Sequence, residues 1–238
     1  MSRIGIFGGM GPSATVDFMD KIIRLTPATR DQEHIPSIVA NLPHIPDRSA
    51  AILGHGEDPL PALLYGIDLL NQVGVGVVAI PCNSSHHWYV EMAERSTAPI
   101  IHIAQACVDA IPGAPNARIA ILATRGALAS GFYQAALQAR ALEFVVPDAS
   151  GAQHQVDACI KAIKGGDMSA GTEALNQVFA AMQAAGATAA ILGCTELPVA
   201  ARTAAPTSMA LIDSSLELAR ATVTFALAKG WNQPTWPS

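Results

Sequence analysis

The sequence predicts an α/β protein of two pseudo-symmetric tandem α/β domains, with mostly parallel sheets and the active site in the cleft between them. Three observations carry this expectation. Apolar, strand-like runs alternate with amphipathic helical segments along the chain, the pattern of crossover connections between parallel strands. Two of those runs, over residues 75–87 (VGVVAIPCNSSHH) and 187–198 (ATAAILGCTELP), each deliver a cysteine into a cluster of small polar residues. The segment RIGIFGGMGPSATVDFM near the start resembles RIAILATRGALASGFYQ from Arg118, an offset of 115 between Ile4 and Ile119, close to the 112 between Cys82 and Cys194. Two anchors at nearly one offset indicate an internal repeat. The first domain is drawn over 1–98 plus 208–238 and the second over 99–207.

The bulk numbers fit. At 238 residues, half of them hydrophobic, the chain has enough apolar material for a sizeable core, and 14% charged residues argue against disorder. A net charge of −5 with no basic patch makes nucleic acid an unsuitable partner. The apolar run at the N-terminus is too short for a signal peptide, and no stretch offers ~18 uninterrupted apolar residues, so no membrane partner is expected. Cys82, Cys107, Cys159 and Cys194 lack zinc-like spacing. A cytoplasmic chain with reduced thiols is the simplest account.

In order, a strand over 3–7 runs into the loop Gly8-Gly9-Met10-Gly11-Pro12, and Ser13 is read as the cap of the helix that follows. Strand, glycine loop and helix together offer backbone N–H groups to an anion. A strand is expected over 37–42, then a polar, irregular loop carrying Arg48, a residue suited to gripping a carboxylate with two parallel hydrogen bonds. The spacing of Leu60, Leu63, Leu64, Ile67 and Leu70 predicts a helix over 59–73. The Cys82 strand comes next, then a helix over 84–96, a short strand over 100–103 and a helix over 104–111. The cluster Pro112-Gly113-Ala114-Pro115-Asn116 reads as a turn and boundary.

The repeat then begins: a strand from Arg118, a small-residue loop, a helix over 132–140, a strand over 143–146, and a helix over 155–164 ended by Gly165-Gly166. A helix over 171–185 with Leu175, Val178, Phe179 and Met182 on one face leads to the Cys194 strand. A strand over 209–212 and a helix over 216–229 close the chain, the helix packing back on the first half, with Asp213 read as its cap.

Each key cysteine therefore sits where a buried parallel strand ends and a helix begins, the edge at which open α/β sheets bind ligands. Three uses compete: a disulfide, a metal site, or an acid and a base on opposite sides of one carbon. The last fits the symmetry best, since inverting a stereocentre needs a base on one face, an acid on the other, and an exchange of roles in reverse. Asn83, Ser84 and Ser85 after Cys82, and Thr195 and Glu196 after Cys194, offer donors at a helix start. Such donors stabilise a thiolate and could hold a substrate carboxylate as charge develops on it. All four cysteines as plain core residues is the competing account. Cys107 and Cys159 fall within helices and are read as core or surface, and His86 as a neighbour of the site.

GGMGPSAT at 8–15, DRSAAILG at 47–54, IPCNSSH at 80–86 and ILGCTELP at 191–198 together resemble the aspartate/glutamate racemase family, across nearly the whole chain and in order. The resemblance implies amino-acid racemisation with no cofactor, on a small-molecule amino-acid substrate, by a homodimer. It implies Cys82 and Cys194 as the paired acid and base. Asn83, Ser84 and Thr195 then match positions that bind the α-carboxylate, Thr124 lies in the loop that matches Met10 by pseudo-symmetry, and Ser85, Thr124 and Met10 are read with them as substrate-binding. Arg48 and Lys164 match basic positions used for a side-chain carboxylate, which points to aspartate first. Two departures stand out: Ser84-Ser85 where the family usually has a threonine and a small residue, and Ala127 where a threonine commonly follows glycine. Glutamate or broad-specificity racemisation, maleate isomerisation, arylmalonate decarboxylation, hydantoin racemisation and a non-catalytic binding protein are the rival expectations.

Overall fold

The computed structural model describes residues 3–111, 117–148 and 151–233. The expected turn at 112–116 lies outside them. The first sheet comprises β1 (Ile4–Gly8), β2 (Ser37–Asn41) and β3 (Val77–Ala79), in the order β2-β1-β3. The second comprises β4 (Arg118–Ala123), β5 (Glu143–Val145), β6 (Ala189–Gly193) and β7 (Ala210–Asp213), in the order β5-β4-β6-β7. All pairings are parallel, and in both sheets the strand that opens the repeat is central, flanked by the next two. Ile100 adds a single parallel bridge beside Val78, in the place that β7 takes beside β6. The strand expected over 100–103 thus shrinks to one bridge, because Ile103 already begins a helix.

Ten crossover and terminal helices among the described residues cover the sheets, besides a short α2. α1 (Pro12–Leu25) has Gly11 at its cap position and Pro12 in its first turn. Ser13 is therefore already inside the helix: proline has its φ fixed near the helical value and no N–H to leave unpaired, so it takes the first position. The loop expected after β2 contains α2 (Arg48–Ile52), capped by Asp47, whose carboxylate accepts from the Ala50 N–H at 2.8 Å. α3 (Leu60–Gln72) follows the expected helix closely. The helix expected over 84–96 divides into a 3-10 turn (Ser84–Trp88) and α4 (Tyr89–Arg95). α5 (Ile103–Asp109) is capped by His102. The small-residue loop after β4 is itself helical, α6 (Arg125–Ser130), separated from α7 (Phe132–Ala139) by Gly131 at φ 74°, a left-handed conformation suited to glycine. α8 (Ala152–Lys164), α9 (Met168–Ala184, capped by Asp167), α10 (Leu197–Ala201) and α11 (Ser214–Ala228, capped by Asp213) complete the fold.

Alternate strand residues feed opposite faces, as the two-residue period requires. In the second sheet Ala120 and Leu122 pack under α8 and α9, while Ile119 and Ile121 face the other way. That other face is covered by Ala104, Cys107 and Val108 of α5, a helix that follows the first sheet. Reciprocally, Leu218, Ala219, Val223 and Ala226 of α11, which follows the second sheet, pack on Ile4, Ile6 and Val77 of the first. The two sheets exchange helices. Lys21, nearly buried on α1, bridges Asp17 and Asp213 at 2.7 Å each, and Arg202 reaches Asp17 at 3.0 Å. The two nearly buried Lys21 pairs fix relative position more than they stabilise, given the cost of desolvating them.

Candidate active site

The site is built where the strands end. After β3 the chain turns through Pro81, and Cys82 stands 6% exposed at the start of the 3-10 turn. The Ser85 hydroxyl donates to the Cys82 carbonyl at 2.7 Å and His86 Nδ1 reaches the same oxygen at 2.9 Å. A carbonyl only accepts, so Nδ1 carries the proton in this tautomer. Burial, then the neighbouring His102, lower the His86 pKa to about 3, so the ring is neutral. His86 thus supports the loop through backbone rather than acting as a base on the thiol. Ser85, fully buried, has its hydroxyl proton committed in the same way.

Asn83 is held from two sides. Its Oδ1 accepts from the Tyr133 hydroxyl at 2.5 Å, and its Nδ2 donates to Ser214 Oγ at 3.1 Å. Ser214 in turn donates to the Leu192 carbonyl on β6, two residues before Cys194, at 2.8 Å. The amide orientation is fixed by this chain, and one of its two N–H groups remains for another acceptor. Ser84 Oγ lies 3.1 Å from Thr124 Oγ1, at the end of β4. Thr124 Oγ1 also accepts from Ser49 Oγ at 2.9 Å and from the Ala127 N–H at 3.2 Å, capping α6. Hydroxyls from three separate segments therefore converge. The close approach of α2 to α6 depends on Gly126, where a Cβ would stand 2.7 Å from Ser49 Cα.

Cys194, 8% exposed, follows β6 as Cys82 follows β3. Its thiol donates to Glu196 Oε2 at 2.9 Å, and the Thr195 hydroxyl donates to the same oxygen at 3.1 Å. Glu196 is therefore an acceptor here, where the sequence suggested a donor: an ionised carboxylate has no proton to give. Burial, then the Glu196 charge, raise the Cys194 pKa well above its ordinary value, with Lys164 opposing. Lys164, the last residue of α8, lines a cleft of ≈ 430 Å³ with Gly11, Ser13, Met168, Thr195 and Glu196.

Arg48 opens α2 and donates through Nη1 to the carbonyls of Ile45 and Pro46, at 3.0 and 2.9 Å; its buried Nε has no hydrogen-bond partner among the described residues. Neither Arg48 nor Lys164 pairs with a carboxylate among the described residues. Met10 is buried in the same apolar cluster as Cys82. All four cysteines are free thiols, and Cys107 and Cys159 lie in the core, their pKa values pushed up by burial, that of Cys159 to about 11.

Ser49, Tyr133 and Ser214 were not singled out by sequence reasoning. Ser49 stands beside Arg48 in the DRS segment and Ser214 beside the capping Asp213, so position offered a signal for both. Tyr133 offered none, because its role depends on α7 lying against the Cys82 loop.

Comparison with known proteins agrees with this architecture. Residues 7–222 match the model of the Asp/Glu/Hydantoin racemase family. The chain is 31% identical over 229 residues to the broad specificity amino-acid racemase RacX of Bacillus subtilis (strain 168), covering 94% of this chain and 98% of that protein. The solved structure of the Picrophilus torridus aspartate racemase superposes with a TM-score of 0.83 at 29% identity, covering 95% of this chain and 94% of that one. Glutamate racemase from Francisella tularensis subsp. tularensis SCHU S4, solved with D-glutamate, shares the fold at a TM-score of 0.73 and 18% identity, covering 99% of this chain and 84% of that one.

Proposed function

The chain belongs to the Asp/Glu/Hydantoin racemase family, and we propose that it racemises a free amino acid, aspartate first, by passing the α-proton between Cys82 and Cys194. The observation that carries this reading is the placement of one buried thiol after β3 and another after β6, the equivalent strands of two sheets with one strand order. A thiolate on one side removes the α-proton, and the thiol on the other side protonates the opposite face. In the reverse direction the two exchange roles. The remaining N–H of Asn83 and the hydroxyls of Ser84, Thr124 and Thr195 would hold the α-carboxylate and take up the charge that develops on it. Two thiols and these donors suffice for the proton transfers without a cofactor.

Arg48 and Lys164 support an acidic substrate, since a free guanidinium N–H and a cleft-lining ammonium favour a second carboxylate. Broad specificity is the second reading, favoured by the likeness to the Bacillus subtilis racemase. A homodimer is the proposed working form, checked by light scattering against the 24.7 kDa chain mass.

The test is α-proton exchange in heavy water, with reduced protein, L-aspartate and no added pyridoxal phosphate. The expected product is D-aspartate carrying deuterium, absent in Cys82→Ser and in Cys194→Ser. Racemisation of neutral amino acids at comparable rates would select the broad reading. Absence of exchange with any amino acid, together with a covalent maleate adduct on Cys82 or decarboxylation of an arylmalonate, would overturn racemisation in favour of those chemistries.

A further inference from the structure

The residue after Cys82 and the residue before Cys194 meet on one side chain. Tyr133, fully buried on α7, lies with its ring against Gly193, where a Cβ would stand 3.1 Å from the ring carbon Cε2. Its hydroxyl donates to Asn83 Oδ1 at 2.5 Å. We propose that Tyr133 is a strut between the two cysteine loops: its ring takes its bearing from the end of β6, and its hydroxyl sets the Asn83 amide so that a donor, not an acceptor, meets the substrate's α-carboxylate. This rests on the reading of Asn83 as a donor to that carboxylate. Tyr133 touches Asn83 and not the substrate, so it is a positioning residue.

An asparagine amide carries its donor and its acceptor on two arms of nearly one shape, so packing alone does not choose which arm faces a ligand. The hydrogen-bond partners choose. The Tyr133 hydroxyl has one proton and gives it to Oδ1. Cys107 Sγ, 3.7 Å from the same phenol oxygen, is then the donor of that pair. On the other arm Nδ2 donates to Ser214 Oγ, which donates to the Leu192 carbonyl. Every proton from Cys107 to Leu192 thus points one way, and hydrogen bonds aligned like this strengthen one another. Burial first, then Cys107 and Cys194, raise the Tyr133 pKa well above its ordinary value, so the phenol keeps its proton at neutral pH.

The chain also fixes where the amide stands. Asn83 is next to Cys82, and its two anchors lead to Gly193 through the tyrosine ring and to Leu192 through Ser214. A carboxylate held by Asn83 is therefore placed with respect to both thiols at once. Among the described residues no other donor reaches Oδ1. Without the phenol proton, the amide regains a donor by turning over to accept from Ser214. The place of the free N–H is then taken by a carbonyl oxygen, which repels a carboxylate.

Tyr133→Phe keeps the ring against Gly193 and removes only the hydroxyl. It is expected to lower kcat/KM for the amino acid about ten-fold or more, the worth of one hydrogen bond to a charged group. Asn83→Ala is expected to lose at least as much. Adding Tyr133→Phe to Asn83→Ala is expected to cost less than about two-fold further, because the phenol acts through the amide. A tyrosine that served packing alone would cost the same factor in both backgrounds. A second readout needs neither turnover nor the phenylalanine variant. The chain has three tyrosines, so Tyr65→Phe with Tyr89→Phe leaves Tyr133 alone to carry incorporated 3-fluorotyrosine. Its fluorine resonance is expected to shift when Asn83→Ala is added. Losses that multiply in the double variant, or a resonance indifferent to Asn83→Ala, overturn the proposal. An inactive parent whose resonance still moves in Asn83→Ala keeps the strut and removes racemisation instead.

Discussion

Ser84 and Thr124 face each other at 3.1 Å, so the loop that carries Cys82 is tied by hydroxyls to the loop leaving the central strand of the other sheet. Thr124 receives Ser49 at the same oxygen, and the Ala127 N–H as well. One side chain thus does two jobs, tying the Cys82 loop and α2 to the end of β4 and capping α6. Thr124→Val keeps the shape and removes the oxygen. It is expected to lower stability by about 1–2 kcal/mol, a lost N-cap plus two hydroxyls left without a partner. It is also expected to raise KM for the amino acid, while Thr124→Ser restores both. Urea melts and steady-state kinetics on the pair of variants decide this.

How much of this was legible beforehand depends on the range of the interaction. The strands ending at Cys82 and Cys194 were legible because buried parallel strands are continuous apolar runs, and the repeat was legible because two offsets agreed. The exchange of α5 and α11 was only half visible: the last helix was expected on the first half, but nothing local marks that α5 crosses to the second sheet. α2 was missed because it is five residues long and lies between prolines and glycines. The direction of the Glu196 hydrogen bond was missed because adjacency in sequence does not say which partner holds the proton. Tyr133 reaches Asn83 across fifty positions, and no short-range pattern encodes that.

Gly126 is the tightest point between α2 and α6. A methyl group there would meet the Ser49 backbone at 2.7 Å, and backbone cannot step aside as a flexible side chain can. Gly126→Ala gains up to about 1 kcal/mol of helix propensity, against about 1–3 kcal/mol for overpacking. A net loss of stability is expected, with a rise in KM as Ser49 is pushed from Thr124. Calorimetry and kinetics on this one variant test both halves of the expectation; a stabilised protein with unchanged KM would refute it.

Substrate preference provides a separate check on the two cations. Arg48→Ala and Lys164→Met, singly, are expected to weaken aspartate turnover at least ten-fold in kcat/KM while changing alanine turnover far less, because only the diacid has a second carboxylate to lose a charge-assisted contact. Equal losses for both substrates would mean that the cations serve the α-carboxylate or the fold.

Acid sensitivity follows from the histidines behind the Cys82 loop. Burial lowers the His102 pKa to about 4, and burial with the nearby His102 lowers that of His86 to about 3. Below pH ~6.5 the unfolded chain binds these protons and the folded chain does not, so stability falls as pH drops, by up to about 1.4 kcal/mol per pH unit per histidine. His102 also caps α5, its Nδ1 accepting from the Ala104 N–H at 3.2 Å. His102→Asn keeps an accepting cap and removes one titrating group. Urea midpoints between about pH 5 and pH 7 are expected to fall more gently for this variant than for the parent.

The helix exchange sets an order on biosynthesis. Residues 3–111 carry every strand of the first sheet, but the helix that completes one of its faces is α11, made after every other described element. A domain would ordinarily complete itself as it leaves the ribosome. Here Ile4, Ile6 and Val77 have Phe18 and Ile22 of α1 beside them early on, but lack Leu218, Ala219, Val223 and Ala226 until α11 is made. The second sheet, by contrast, finds α5 already waiting for it. A helix made only from Ser214 onward is the one that closes a sheet whose last strand ends at Ala79.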